Sequence, residues 1–197
     1  MSPSPARRRF AEGDKRQAIL DAALALFGER GFHGTAVPAV AERAGVGAGT
    51  IYRYFASKEA LVNALYREWK QRLASHVVLK IDPSAKPREQ FRALWFGIAE
   101  FAGLHPDGFN FLEMHHHGSY LDEDSRALES RVLDLTSAFV SRLQQARVVK
   151  AMDPMAIMAM VYWAFVGLSR CSQEGRLDLN DQTLESIEEC LWQAISR

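Results

Sequence analysis

The sequence predicts an all-α protein of about nine helices, and two observations carry that prediction. Almost every segment repeats its apolar residues at helical spacing, and no stretch alternates apolar and polar residues as a half-buried strand would. Glycines and prolines then cut the pattern into helix-sized pieces, at Gly31, Gly45, Gly47, Pro83 and Pro87. A chain of 197 residues is long enough to bury a core without disulfides or metals.

The first helix has a start signal in Asp14, with Gln17 three residues on to complete a capping box. Ile19, Ala23, Leu26 and Arg30 follow on one face, and Gly31 stops it. A second helix is predicted from Thr35 as N-cap. Pro38 then falls at the third helical position, where its missing amide has no intrahelical carbonyl to lose. This helix runs through Ala41 and Ala44 to Gly45.

After the turn Gly45-Val46-Gly47 comes a short helix, Ala48 to Phe55, whose Ile51 and Phe55 share a face and should anchor it. Ser57 caps a long helix with Leu61, Leu65, Trp69 and Leu73 at helical spacing toward Val78. The stretch 81–87 holds two prolines and marks a domain boundary or the loop beside it. Beyond it the expected helices are Arg88–Leu104, Phe109–Gly118, Asp124–Arg147, Pro154–Gln173 and Thr183–Ser196.

Charge divides the chain as the helices do. Residues 1–80 hold 13 Lys and Arg against 7 Asp and Glu, a net +6, and residues 81–197 hold 11 against 17, a net −6. A polyanion partner for the first part alone fits that asymmetry. Three short helices with a glycine turn before the third are the helix-turn-helix arrangement, whose last helix enters the major groove.

The residues are more specific than the arrangement. Gly31, Phe32, Thr35, Val37, Val40, Ala41, Ala44, Gly45, Val46, Gly49, Thr50, Ile51, Tyr52, Tyr54, Phe55, Ser57, Lys58, Glu59 and Leu61 resemble, offset for offset, the DNA-binding signature of the TetR family of transcriptional regulators. The resemblance covers residues 14–66. Gly47 departs from it, standing where a serine commonly caps the recognition helix, and a glycine caps only a few tenths of a kcal/mol less well.

The implied organisation is a basic leader over 1–13, a helix-turn-helix domain over 14–57, a connecting helix over 58–79, and an effector-binding and dimerisation domain over 80–197. Arg7, Arg8 and Arg9 read as a disordered basic leader, with a minor-groove arm as the alternative. With Ile51 and Phe55 inward, the DNA-facing set is Thr35, Ala48, Gly49, Thr50, Tyr52, Arg53, Tyr54 and Lys58. Small residues at 48 and 49 let backbone approach DNA, and hydroxyls at 50, 52 and 54 reach phosphates or base edges. By resemblance Arg53 points at the bases, where its fork suits guanine or a phosphate equally. Lys58 sits in a first helical turn, against the dipole, and a phosphate partner would explain its charge.

The resemblance further implies that the last helices pair across a two-fold axis and the middle ones enclose an effector. Candidate pocket residues are Trp95, Phe109, Met114, His117, Tyr120, Phe139 and Trp163, and candidate dimer residues are Met158, Tyr162, Phe165, Ile187 and Leu191. Few charges accompany these aromatics, so the expected effector is apolar or aromatic. The expected partners are a near-palindromic duplex operator, that effector and a second copy of the chain. Repression, released by the effector, is the family's usual mode.

Three other readings compete. His115, His116 and His117 invite a metal-responsive regulator, yet adjacent helical residues point about 100° apart, so a site would need His105, Glu113 or Asp122 as well. A metal-dependent enzyme is disfavoured, because no HExxH, nucleophile elbow, phosphate loop or CxxC pair occurs. A ligand-free architectural DNA binder would show no apolar cavity. No cofactor is expected. Cys171 and Cys190 suit reduced thiols, no signal peptide is expected at the start of the chain, and the longest apolar run, 155–168, is short for a membrane span. A cytoplasmic protein is the consequence.

Overall fold

The computed structural model describes residues 12–115 and 117–197, with side chains from residue 14. The basic leader and His116 lie outside the described residues. Nine helices occur among the described residues: α1 (Glu12–Gly34), α2 (Val37–Arg43), α3 (Ala48–Tyr54), α4 (Lys58–Lys80), α5 (Pro87–Leu104), α6 (Pro106–Glu113), α7 (Glu123–Gln145), α8 (Pro154–Gln173) and α9 (Asp181–Ile195). An isolated bridge between Val149 and Ser196 is the sole extended pairing among them. The described residues form two compact units, one ending at Tyr66 and the other running over Arg67–Arg197.

The first unit closes on the apolar faces of α1 to α4. Ile19, Leu20, Ala23, Leu26 and Phe27 of α1 are buried, as are Val37, Val40 and Ala41 of α2. Gly31 interrupts α1 at φ 67°, ψ 176°, a region open to glycine alone, so the expected stop is a sharp bend with a last short turn beyond it.

The second helix begins later than its sequence signal. Ala36, at φ −98° and ψ 143°, holds the N-cap position with no side-chain bond, which puts Pro38 at the second helical position. Thr35 is a correction: its hydroxyl lies 3.0 Å from Leu26 O and 2.9 Å from Gly31 O, to which it donates. It ties α2 to the end of α1 and is only 2 % exposed.

The second unit takes in the C-terminal half of α4, so the boundary falls between Tyr66 and Arg67 rather than at the proline loop. The reason is packing. Trp69 and Leu73 are buried, and the Trp69 ring meets Phe101 and His105 edge-on at 6.3 and 5.6 Å. The 81–87 stretch is therefore a helix connection inside this unit, closed by Glu89, whose carboxylate accepts from the Lys86 amide at 3.0 Å.

The later helices start on local caps. Asp122, Asp153 and Asn180 accept from the amides of Ser125, Met155 and Thr183 at the starts of α7, α8 and α9. α8 meets the length and composition of a membrane span. It packs on α7 and α9, with Ile157, Val161, Phe165 and Val166 buried. Arg88 of α5 grips the fully buried Glu188 of α9, and the Trp95 indole donates to Leu184 O at 3.2 Å.

Candidate nucleic-acid interface

α2 and α3 are set by a short turn whose backbone bonds are all local. The amide of Gly45 donates to Glu42 O at 3.1 Å and that of Val46 to Ala41 O at 3.0 Å, the paired bonds that end a helix on a left-handed residue. Gly45 supplies that residue at φ 67°. Gly47 then takes the N-cap of α3 in an extended conformation, with no side-chain bond, as its lack of a hydroxyl requires.

α3 has seven residues and one inward face. Ile51 and Phe55 are buried, and the Arg16 guanidinium lies 5.6 Å over the Phe55 ring. The opposite face is open: Ala48, Gly49 and Arg53 are exposed, Tyr52 is 54 % exposed, and Thr50 and Tyr54 are half-buried. Small residues at the start of the helix and a tyrosine and an arginine at its end form an outward strip. Thr35, at 2 % exposure with its hydroxyl committed to carbonyls, is not part of it.

Ser57 opens α4 as its sequence suggests, its Oγ accepting from the Ala60 amide at 3.1 Å. Glu59 is held below the usual carboxylate range by its own backbone amide and by the Ser57 hydroxyl. Lys58 is half-buried, its Nζ 4.2 Å from the centre of the Phe32 ring. That contact holds the ammonium on an aromatic face at the edge of the first unit.

The second unit holds a cavity of about 270 Å³ lined by α5, α6, α8 and α9, including Phe109, Asn110, Phe165 and Ser169. Of the residues expected to line a pocket, only Phe109 lies on it. Trp95 is buried behind it, edge-on to Phe165 at 5.5 Å. Trp163 is 59 % exposed, because α8 is apolar all round and turns this residue outward. Phe139 is half-buried under the Arg142 guanidinium, and Met114 is half-buried after α6.

His117 is buried in a polar nook instead. Its Nε2 donates to Phe111 O at 2.5 Å and its Nδ1 accepts from the Tyr120 hydroxyl at 2.8 Å. Burial depresses the His117 pKa to about 4 and pushes that of Tyr120 up to about 12. Both imidazole nitrogens are thus engaged, and among the described residues no three His, Cys, Asp or Glu side chains group as a metal site. Of the run 115–117, His117 is thus committed to partners within its own unit, and His116 is outside the described residues.

The expected dimer residues also divide. Phe165 is buried against Phe109 and Trp95, and the Tyr162 hydroxyl donates to Glu113 Oε1 at 2.6 Å, with Lys70 Nζ 3.7 Å from the same oxygen. Phe165 belongs to the core of its own unit, and the half-buried Tyr162 is tied to α6 of the same unit. Met158, Ile187 and Leu191 are half-buried. The open apolar face of α8 is Met155, Met160 and Trp163. Sequence reasoning missed Glu188, whose position one turn after Leu184 on the apolar stripe was a signal, and Ser169, which carried none.

An all-helical fold with a helix-turn-helix at its N-terminal end and an outward strip on the third helix defines a class of helical regulatory proteins. Residues 19–65 match the N-terminal model of the bacterial regulatory proteins of the tetR family, and residues 66–197 match a tetracyclin repressor-like C-terminal domain. The chain belongs to the TetR family, whose members are transcriptional regulators and not enzymes.

The transcriptional repressor KstR2 of Mycobacterium tuberculosis is 33% identical over 115 residues, which is 57% of this chain and 52% of that protein. The match therefore spans about half the length of that relative. The repressor KstR of Rhodococcus jostii is 50% identical over 62 residues, 31% of this chain and 29% of its own. A solved TetR-family protein from Vibrio parahaemolyticus superposes with a TM-score of 0.77 at 30% identity, over 93% of this chain and 99% of that one.

Proposed function

We propose that this protein is a cytoplasmic, sequence-specific DNA-binding repressor that works as a homodimer on a near-palindromic operator. A small apolar or aromatic effector held in the second unit releases it. The observation that carries the reading is α3, pinned by buried Ile51 and Phe55 while Tyr52 and Arg53 stand outward. A seven-residue helix reads too few bases for useful specificity alone, which favours a two-fold dimer whose half-sites lie about 34–36 Å apart.

Release follows from connectivity. Three residues separate the end of α3 from the start of α4, which continues unbroken to Lys80, so a ligand that prefers one setting of α4 changes the spacing of the two reading helices. A hundredfold loss of operator affinity corresponds to about 2.7 kcal/mol of coupling. The repressor names of the relatives support the direction of control, over 52% of the length of the one and 29% of the other.

Sequencing the genomic fragments retained by the purified chain tests the proposal. The expected result is a shared near-palindrome in the recovered fragments. Recovery of fragments in proportion to their abundance, with no common sequence, would favour an architectural DNA binder.

A further inference from the structure

Two cations mark the point where α4 enters the second unit. Arg67, the first residue of that unit, places Nη1 2.8 Å from each carboxylate oxygen of Asp122 and 2.9 Å from Ser125 Oγ. Lys70, one turn further along the same side of the helix, has its Nζ 3.7 Å from Glu113 Oε1, which also accepts from the Tyr162 hydroxyl at 2.6 Å. Glu113 is the last residue of α6 and Asp122 is the N-cap of α7, so the two acids stand at the two ends of the connection over 114–121. The bonds of His117 to Phe111 O and of Tyr120 to His117 brace that connection from within.

Between the two cations, Trp69 lies against Gly108 of α6 with no room for a Cβ. α4 is thus gripped over a single turn by α6 and by both ends of the α6–α7 connection. The charged pairs at its far end differ. Lys80 and His76 meet Glu100 at 2.6 and 3.6 Å, but the Lys80 and Glu100 side chains are 43 % and 45 % exposed, and exposed pairs restrain little. The Lys70 and Glu113 side chains are only 16 % and 5 % exposed. Ion pairs taken out of water gain little net stability over apolar packing, so what this pair contributes is direction: it holds the helix in one setting.

The place of this turn along α4 gives it leverage. From Arg67 back to Lys58 the helix extends about 14 Å at about 1.5 Å per residue. A tilt of about 7° at Arg67 moves that end by about 1.7 Å, and two copies moving oppositely change the separation of their reading helices by about 3.4 Å, the rise of one base pair.

We propose that Arg67 and Lys70, through Asp122 and Glu113, are positioning residues that set which half-site spacing the protein accepts. The proposal rests on the reading of the chain as a two-fold operator binder, and adds to it residues of the second unit that select DNA without touching it. Loss of both ties frees α4 to tilt, so a dimer lacking them accepts spacings that the wild type rejects.

The test uses the full chain and the operator recovered from genomic fragments, together with versions carrying one base pair inserted or deleted between the half-sites. Arg67→Met with Asp122→Asn and Lys70→Met with Glu113→Gln, combined in one protein, remove both charge pairs while keeping a cap for α7 and an acceptor for Tyr162. Affinity for the altered spacings relative to the original one should rise roughly tenfold over wild type at fixed salt. Lys80→Met with Glu100→Gln is the control and should keep wild-type discrimination. Should the combined protein lose helical content, each paired variant made alone should relax the discrimination about threefold. A variant that discriminates as wild type does, or that loses affinity for every spacing in equal proportion, overturns the proposal, as does an equal relaxation in the control. Wild-type protein that binds every spacing alike overturns the two-fold reading itself, and this proposal with it.

Discussion

Gly108 of α6 lies against the face of the Trp69 indole of α4, so closely that a Cβ built on Gly108 would overlap Cε3 and Cζ3 of the ring. Trp69 is itself buried between Phe101 and His105, leaving the ring no space to retreat into. Gly108→Ala should therefore destabilise the protein by about 1–3 kcal/mol, as overpacked substitutions do. Gly28→Ala is the control. A Cβ at Gly28 meets nothing within 4 Å, so that change should stabilise α1 by up to about 1 kcal/mol through helix propensity. Urea unfolding of the two variants reads the opposite signs; a stabilising Gly108→Ala would contradict the packing.

His117 makes stability depend on pH in a defined window. Its folded pKa of about 4 lies below the ordinary 6.5, mainly because burial disfavours the charged ring, with His115 and Lys70 adding repulsion. The unfolded chain therefore binds more protons between those values, and stability rises with pH across them. The contribution is complete above about pH 6.5 and is lost as pH falls toward 4, by on the order of 3 kcal/mol. His117→Gln, which cannot titrate, should flatten this part of the curve. Equal slopes for wild type and variant between pH 4.5 and 6.5 would assign the dependence to another group.

The open face of α8 should be the dimer surface. Met155 and Trp163 are eight residues apart and share a face, with Met160 beside them, and all three are exposed in the single chain. Trp163→Glu should give a monomer by light scattering at micromolar concentration while helical content stays unchanged. Phe165→Ala, in contrast, should lower the melting temperature, because Phe165 packs inside its own unit. A Trp163→Glu protein that remains dimeric would place the interface elsewhere.

These placements show which parts of the molecule were legible in the sequence. Features fixed by neighbours in the chain were readable: the bend at Gly31, the left-handed Gly45, the Ser57 cap and the limits of α8 at Pro154 and Gln173. Thr35 was misread because its hydroxyl partner, Leu26 O, lies nine residues back and competes with the capping role. On α8, periodicity cannot separate inward Phe165 from outward Trp163, since apolar residues surround the helix. The Arg88 and Glu188 pair joins residues 100 apart, which local pattern does not reach. Of the candidate interface, the inward anchors and outward strip of α3 followed directly from the 3.6-residue period, whereas the cavity depends on four helices meeting.

Lys58 offers a choice between two partners that salt can separate. Its ammonium rests 4.2 Å from the Phe32 ring, a position from which a phosphate could draw it away. Lys58→Ala should weaken operator binding and lower the slope of log affinity against log salt by about one unit. Melting temperature should change little, since the ring contact is at the edge of the unit. An unaltered slope would mean that Lys58 serves Phe32 and touches no phosphate.

The most direct test of the account is the affinity of Arg53→Ala and Tyr52→Ala for a selected operator and for a scrambled duplex of equal length, at one fixed salt concentration. Both side chains are exposed, so both variants should melt as wild type does. The account expects each to lose about 1–3 kcal/mol of operator affinity per half-site where a base contact is removed, with the scrambled duplex affected less. Variants that bind the operator as tightly as wild type, or that lose operator and scrambled DNA in equal proportion, would contradict the claim that α3 reads the sequence.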